Sequence, residues 1–234
     1  MQGLAMFVGG VLPYFAIGLF LIGMGYRIRV WIKTPQPGKM TIFPAPKSAT
    51  RGILAEVFFF PSLFKGDRGL WAMSWTFHVT LVLVFLGHLR VVTGLIDSTL
   101  HSMGVSEAGV QWMSSTVGGI AGIVMLATGL ALFFRRIYTV RAREVSSFSD
   151  FFALLLLLAI IVTGDLMRFA GSHFDLAQTR VWVASLLSFS PVVPHSGMFL
   201  VHALLGQILL MYIPFSKILH LGGIFFTQAL VQRR

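Results

Sequence analysis

The chain has 234 residues, of which 56% are hydrophobic and 11% are charged. Soluble domains carry about 25% charged residues, so this composition excludes an ordinary soluble protein and indicates an integral membrane protein. The chain has no cysteine, which excludes disulfides, cysteine-held iron–sulfur clusters and covalently attached c-type haem within it. Any redox centre of this chain must therefore be held by histidine or methionine.

The formal net charge of +10 raises the alternative of a nucleic-acid-binding protein. Eight of the 18 Lys and Arg lie at 27–68, four lie at 135–143, and three are Lys217, Arg233 and Arg234. These clusters follow every second hydrophobic segment, as expected when basic residues stay on the cytoplasmic side of a membrane. The basic charge therefore predicts membrane topology, and we expect no nucleic-acid partner.

A helix needs about 20 apolar residues to cross a membrane, and five segments qualify. The first is residues 4–26. Basic residues follow this segment rather than precede it, and it lacks a small-residue cleavage site, so it does not read as a signal peptide. We predict a retained helix with its N-terminus outside.

A basic cytoplasmic loop is predicted at 27–69, and proline recurs in it at Pro35, Pro37, Pro44, Pro46 and Pro61. Within it, residues 52–64 are apolar but too few to span, so they are predicted to lie in the membrane interface. Two roles remain open for this segment: a connector along the membrane, and a docking platform for a soluble subunit.

Four further spanning helices are predicted at residues 70–89, 112–134, 151–169 and 198–219. The connections at 96–111 and 171–196 are predicted to be outer loops, and the C-terminus is predicted to be cytoplasmic. The sequence shows no internal repeat. We therefore predict an all-α integral membrane protein in which residues 1–234 form a single five-helix domain.

Two of the predicted helices carry two histidines each. His78 and His88 lie ten residues apart on the second helix, and His202 and His220 lie eighteen apart on the fifth. A histidine in hydrocarbon is costly unless it is satisfied, so its presence indicates a functional site. Because the helices are antiparallel, His78 matches His220 in depth on the inner side, and His88 matches His202 on the outer side. We therefore predict that each pair holds one haem iron, as in a membrane cytochrome b with two haem b groups.

The two spacings do not match in length. Eighteen residues of ideal helix cover about 27 Å, whereas ten cover about 15 Å. We expect helix tilt and a bend at Pro214 to absorb part of the difference. The other histidines, His101, His173 and His195, fall in the predicted outer loops.

Glycines and cations near the histidines are further candidates for the haem pockets. Gly87 precedes His88, and Gly206 follows His202 by about one turn, where a flat macrocycle needs space. The third predicted helix carries a stripe of glycines, namely Gly118, Gly119, Gly122 and Gly129. Such a stripe more commonly serves close helix packing, and the alternative is that it lines a haem pocket.

Haem propionates need cationic partners near the membrane faces. Arg90 and Arg168 are candidates on the outer side and Lys217 on the inner side. The alternative for each is a membrane anchor that extends to the interface.

On these residues the chain resembles the diheme cytochrome b family typified by the gamma subunit of respiratory nitrate reductase. The family includes similar membrane subunits of sulfite-reductase-associated and heterodisulfide-reductase-like complexes. The resemblance covers the five helices, both histidine spacings, and the sequence motifs FLGH ending at His88 and IPFSKILH ending at His220. It implies the same pairing, the first histidine of the second helix with the last of the fifth.

The resemblance also implies a function in the cytoplasmic membrane of a prokaryote. It implies that quinol is oxidised, or quinone (menaquinone or ubiquinone) reduced, beside the outer haem. Electrons are then exchanged with an iron–sulfur subunit on the cytoplasmic face, in a complex with room for further membrane or outer-face redox subunits.

Two features depart from the nitrate reductase subunit. That subunit has a lysine near its outer quinone pocket, whereas this chain has none between Lys65 and Lys217, and the basic first loop here is longer. Both favour the sulfite-reductase-associated branch. The alternatives are a nitrate reductase gamma subunit proper, a cytochrome b of a hydrogenase or formate dehydrogenase, and a haem-free transporter or membrane anchor.

The quinone site is predicted at the outer haem, between the second, third and fourth helices. His101 is the first candidate in place of the missing lysine, since histidine exchanges protons near neutral pH. Asp97 lies just past the second helix, and Asp165 is the only acid inside a predicted spanning segment. For Asp165 the competing interpretation is an ion pair with Arg168, three residues later on the same helix face.

Overall fold

The computed structural model describes residues 2–34, 49–170, 175–220 and 222–223, and every regular element within them is a helix. The helices are α1 (Gln2–Lys33), α2 (Ala49–Phe59), α3 (Pro61–Gly66), α4 (Arg68–Val92), α5 (Leu95–Ser102), α6 (Glu107–Tyr138), α7 (Val140–Glu144), α8 (Phe148–Phe169), α9 (Leu176–Leu187) and α10 (Gly197–Tyr212). Two 3₁₀ turns follow α10, at Ile213–Phe215 and Lys217–Leu219.

Five helices of the described chain are long and apolar enough to cross a membrane. They are α1, α4, α6, α8 and α10 extended to Phe215. At most 28% of the most apolar window of each helix is buried inside the protein, and the outer faces carry large apolar side chains such as Phe15, Ile22 and Phe85. An apolar exterior of this extent fits lipid rather than water. The predicted all-α protein with five spanning helices is confirmed.

The predicted connections contain more helix than expected. Residues 96–111 include most of α5 and the start of α6, and 171–196 include α9. The apolar segment 52–64 falls within two short helices, α2 and α3, which meet at Phe60. The prolines between 35 and 46 lie outside the described residues.

Polar side chains define the starts of the spanning helices. The backbone N–H of Leu70 donates to Asp67 before α4, and that of Phe199 donates to Ser196 before α10. Ser147 and Asp150 form a reciprocal capping box at the start of α8. Such caps satisfy N–H groups that lack partners within the helix, and each stabilises it by about 1 kcal/mol.

The spanning helices pack in the order α4, α6, α8, α10, α1. Buried Phe77, Met125 and Ile161 join α4, α6 and α8 in one apolar cluster. The helix α4 carries His78 and His88, whereas α10 carries His202 and the chain after it carries His220. Both helices pack mainly on α6, α8 and α1, and their histidines face each other between them.

The first helix is joined to the bundle through a π-helical turn at Phe7–Val11. Within this turn, the carbonyl oxygen of Val8 accepts from Gln207 of α10 (3.0 Å) and that of Gly9 accepts from Trp182 of α9 (2.6 Å). In a π turn the backbone hydrogen bonds join residues five apart rather than four, and these contacts occur where that pattern replaces the α-helical one. The N-terminal segment of α1 thus packs as an integral part of the bundle.

Candidate functional site

Two pairs of histidine rings lie between α4 and the C-terminal part of the bundle. The ring centres of His78 and His220 are 6.0 Å apart, with 77° between the ring planes. The ring centres of His88 and His202 are 6.1 Å apart, with 18° between the planes. The structure thus brings together the same pairs that the depth argument predicted.

These separations fit one metal ion bound between two imidazoles. A metal–imidazole nitrogen bond is about 2 Å long, and the ring centre lies roughly 1 Å further, so two imidazoles that bound one metal ion from opposite sides would have their ring centres about 6 Å apart. Both pairs have this spacing.

In three of the four histidines the Nδ1 atom hydrogen-bonds a backbone carbonyl oxygen. The Nδ1 atoms of His78, His88 and His220 lie 2.7, 2.8 and 2.9 Å from backbone carbonyl oxygens. A carbonyl oxygen only accepts, so these Nδ1 atoms carry the hydrogen and donate it. The Nε2 atoms keep their lone pairs, as a metal ligand requires.

Two glycines near the second pair have open space where a Cβ atom would lie. A Cβ atom built on Gly87 or on Gly206 meets no heavy atom of the described residues within 4 Å. These glycines flank His88 and His202 in sequence, so the backbone near both rings has open space beside it. The residues present therefore fit haem.

The glycines of α6 have a different environment. A Cβ atom on Gly118 would lie 3.0 Å from Arg168, one on Gly119 would lie 3.2 Å from Phe169, and one on Gly122 would overlap Asp165. These contacts all belong to α8. Close packing of α6 on α8 therefore accounts for this part of the glycine stripe, and Gly129 likewise packs against Phe77 and Leu158.

Arg90 and Asp97 are bound to each other at the end of the bundle near His88. Asp97 accepts from Arg90 Nε (2.5 Å) and from Arg180 Nη2 (2.7 Å), and Arg180 Nε donates to the carbonyl oxygen of Arg90 (2.8 Å). Burial raises the pKa of Asp97, but the hydrogen bonds from Arg90 and Arg180 outweigh this effect and hold the pKa below its ordinary value of 3.8. Arg180, which the sequence did not single out, belongs to this cluster.

Asp165 and Arg168 do not form the ion pair that was the competing interpretation. Arg168 donates instead to the carbonyl oxygens of Ser114 (2.8 Å) and Ser115 (3.4 Å) on α6. The Oδ2 atom of Asp165 is buried, and it has no hydrogen-bond partner among the described residues. The reason is that Asp165 packs against Gly122 while Arg168 extends toward the start of α6.

The remaining candidates lie at opposite ends of the bundle. Lys217 donates to Asp150 at 2.8 Å. His101 is 42% exposed, and its Nε2 lies 3.3 Å from a carboxylate oxygen of Glu107. His195 is exposed, and His173 lies outside the described residues.

The predicted bend at Pro214 is present as a break in the fifth spanning helix. The α-helix ends at Tyr212, and Ser216 between the two 3₁₀ turns is extended. Proline has no backbone N–H group and cannot continue the helical hydrogen-bond pattern. The carbonyl oxygen of Pro214 accepts a hydrogen bond of 2.8 Å from Arg27 of α1. This break lets His220 reach His78, because 18 residues of continuous helix would carry it about 12 Å further than the spacing on α4.

Two residues near the histidines were missed by the sequence reasoning. Phe60 has a left-handed backbone (φ 49°), and its ring lies edge-on to His78 with the ring centres 5.2 Å apart. Its only sequence signal is the following proline, which disfavours an ordinary helical conformation. Thr163 lies 2.9 Å from His202 Nδ1, and a threonine inside an apolar helix gives no signal of such a contact.

The chain is similar to one known protein family and to several named subunits of oxidoreductases. The family model described as nitrate reductase gamma subunit matches residues 61–232. A cytochrome b-like subunit of the Hdr-like menaquinol oxidoreductase of Archaeoglobus fulgidus is 33% identical, over 94% of this chain and 77% of that protein.

Two nitrate reductase subunits are also similar. The respiratory nitrate reductase 1 gamma chain of Escherichia coli is 25% identical over 96% of this chain and 93% of its own length. The nitrate reductase gamma chain of Bacillus subtilis is 30% identical over 65% of this chain and 72% of its own. The match over residues 61–232 shows that the chain belongs to the nitrate reductase gamma subunit family.

Proposed function

We propose that this protein is a membrane cytochrome b subunit that binds two haem b groups, one between His78 and His220 and one between His88 and His202. The observation that carries the proposal is the presence of two imidazole pairs with ring centres 6.0 and 6.1 Å apart. The engaged Nδ1 atoms and the name of the Archaeoglobus relative, a cytochrome b-like subunit, support it.

The two pairs are arranged for electron transfer across the membrane. Haem b bound at each pair supplies one-electron chemistry. His78 and His88 are ten residues apart on α4, so the pairs differ in depth by about 15 Å. The chain's own residues would hold the iron and fix the imidazole tautomers, and the aromatic rings of Phe60 and Phe77 lie beside His78.

In the membrane, we propose that the N-terminus is outside and the C-terminus cytoplasmic. The support is the clustering of basic residues at 27–68, at 135–143 and after His220. The His78–His220 pair is then the inner one, nearest the face where an iron–sulfur partner subunit docks on residues 27–69 and the C-terminal tail.

The quinone site is proposed at the outer pair, with His101, Asp97 and Asp165 as its polar groups. A role for Asp165 there is supported by its Oδ2 atom, which is buried and has no hydrogen-bond partner within the described part of the chain. The name of the Archaeoglobus relative, a menaquinol oxidoreductase subunit, favours menaquinol as the substrate over ubiquinol.

The partner complex is proposed to be of the Hdr-like kind, close to the sulfite-reductase-associated type. Relatives named Hdr-like menaquinol oxidoreductase subunits support it. Relatives named nitrate reductase gamma chains keep a nitrate reductase partner as the second candidate.

The test is haem content and its dependence on each histidine. A pyridine haemochrome assay of the complex purified from native membranes is expected to give two haem b per chain. His78→Ala and His220→Ala are each expected to remove one spectral component, and His88→Ala and His202→Ala the other. One haem per chain or none, or loss of the same component in His78→Ala and His202→Ala, contradicts the proposal.

A further inference from the structure

His202 is held differently from the other three histidines of the two pairs. The Nδ1 atoms of His78, His88 and His220 bond carbonyl oxygens three or four residues earlier in the chain. The Nδ1 atom of His202 instead lies 2.9 Å from the hydroxyl oxygen of Thr163 on α8, and the backbone of Ile160, also on α8, interacts with the same imidazole. This imidazole is therefore oriented by a side chain from another helix.

In this contact the hydroxyl oxygen of Thr163 is the acceptor. Its own proton is directed at the carbonyl oxygens of Ala159 and Ile160, both 2.9 Å away. A lone pair of the hydroxyl oxygen is left for the imidazole. His202 therefore donates from Nδ1, and the lone pair of Nε2 is left for a metal ion.

The residue after Thr163 allows this close approach. A Cβ atom on Gly164 would lie 3.3 Å from Cε1 of His202, which is tighter than ordinary van der Waals contact. Glycine therefore lets the ring lie against the backbone of α8 within reach of Thr163. In this way α8, which contributes no proposed iron ligand, sets the position of His202.

We propose that Thr163 is a positioning residue for the haem bound between His88 and His202. This rests on the proposed haem binding and adds to it a residue that fixes the tautomer of His202 and strengthens the ligand. A hydrogen bond from the outer nitrogen of a metal-bound imidazole raises the basicity of the ligand. A more basic ligand favours the oxidised, more positive iron, so loss of the bond raises the midpoint potential of this haem and leaves the other unchanged.

The experiment compares Thr163→Val with the wild type in the purified holo-complex. Valine keeps the shape of threonine and removes the acceptor. A redox titration of the reduced-minus-oxidised spectrum follows both components, and His88→Ala identifies the one that belongs to this pair. The expected result is a positive shift of that midpoint potential alone.

Two matched variants separate the hydrogen bond from a structural effect. Thr128 on α6 bonds its own helix in the same way, to Val124 and Met125, and Thr128→Val is expected to shift neither potential. Thr163→Ser keeps a hydroxyl and is expected to restore the wild-type potential. If Thr163→Val does not accumulate, Thr163→Ala replaces it, since alanine also lacks the acceptor.

The proposal is overturned if Thr163→Val, or Thr163→Ala in its place, leaves the midpoint potential of the His88–His202 haem unchanged. It is overturned as well if that variant shifts the potentials of both haems equally, or if Thr128→Val shifts the potential by the same amount. It is also overturned if Thr163→Ser behaves like Thr163→Val. A wild-type complex that lacks both haem components overturns the proposed function together with this inference, so the two failures are distinguishable.

Discussion

Asp97 lies where two arginines converge at the end of the bundle that holds His88 and His202. The side chains of Arg90 and Asp97 are 8% and 17% exposed, so the charge of Arg90 depends on this carboxylate for compensation. Removing one partner of a buried pair leaves an uncompensated charge. Asp97 is thus a stabilising residue here, whatever its part in quinone chemistry.

Asp97→Asn is expected to destabilise the protein by about 3 kcal/mol at neutral pH. Because the pKa of Asp97 is lowered in the fold, its contribution is fully present above the ordinary value of 3.8 and is lost as the pH falls through the folded value. The measurement is the thermal midpoint in detergent, for wild type and variant, from pH 7 to pH 3.

The matched control is Asp175→Asn. Asp175 caps α9 by accepting from the backbone N–H groups of Ala177 and Gln178, and asparagine serves equally well as such a cap. A difference between wild type and Asp97→Asn that widens as the pH falls would falsify this assignment.

His101 is the residue whose proposed role in quinone chemistry can be tested most directly. His101→Ala is expected to slow haem reduction by a quinol analogue on the order of 100-fold, since proton transfer by a positioned side chain contributes about this much. Both haem spectra are expected to remain intact. The measurement is stopped-flow reduction of the purified complex.

Glu107→Gln is the control for His101, because it removes the ion pair at 3.3 Å and keeps the imidazole. It is expected to reduce haem at nearly the wild-type rate. Normal kinetics in His101→Ala would exclude this residue from the quinone site.

At the scale of elements, the break after Tyr212 determines the path of the fifth spanning helix. Three contacts hold the chain from Tyr212 onward: Arg27 donates to the carbonyl oxygen of Pro214, Tyr212 donates to the carbonyl oxygen of Ser149, and Lys217 donates to Asp150. The break therefore has both a local cause, proline, and tertiary support from α1 and α8. It brings His220 to the depth of His78.

Pro214→Ala is expected to lower the content of the haem bound by His78 and His220 and to retain the other haem. Alanine allows α10 to continue, which carries His220 away from His78. The measurement is the amplitude of each component in a redox titration. Pro194→Ala, in the irregular segment before α10, is the control and is expected to retain both components.

Full retention of both components in Pro214→Ala would show that the contacts to Arg27, Ser149 and Asp150 maintain the break without proline.

At the scale of the whole molecule, the protein is a multi-pass protein of a prokaryotic cytoplasmic membrane, with most of its cations at one end. Lys33, Lys65, Arg135 and Lys217 lie at this basic end, where Arg135 also pairs with Asp67 at 2.8 Å. A basic surface attracts an acidic partner and speeds its association. The pair formed by His78 and His220 lies near this end.

Carbodiimide couples carboxylates to amines, so it is expected to join lysines of the proposed iron–sulfur partner to Glu56 or Glu144, which lie at the basic end. Glu107 and Asp175 provide exposed carboxylates at the opposite end, so the same reagent probes both faces of the complex. The links are identified by mass spectrometry of the copurified complex. Links mainly at Glu107 and Asp175 would place the partner on the other face.

The sequence alone determined the membrane class, the five spanning helices and the family. These follow from composition, from the length of the apolar segments and from short sequence motifs, all of which are properties of the linear sequence. The depths of His78, His88, His202 and His220 also followed, because helix rise converts sequence spacing into distance. The helices inside the connections at 96–111 and 171–196 were missed because α5 and α9 are short, and short helices depend on caps and tertiary contacts.

Apart from the two histidine pairs, only the tertiary structure decided which side chains meet between helices. The bond from His202 to Thr163, the packing of Asp165 on Gly122, and the pairing of Asp97 with Arg180 each join residues far apart in the chain. Sequence spacing gives the depth of a residue on its helix, but it does not give the rotation of that helix against a neighbour. In a bundle whose helices are apolar on nearly every face, this rotation is settled by close packing at glycines and by the few polar contacts available.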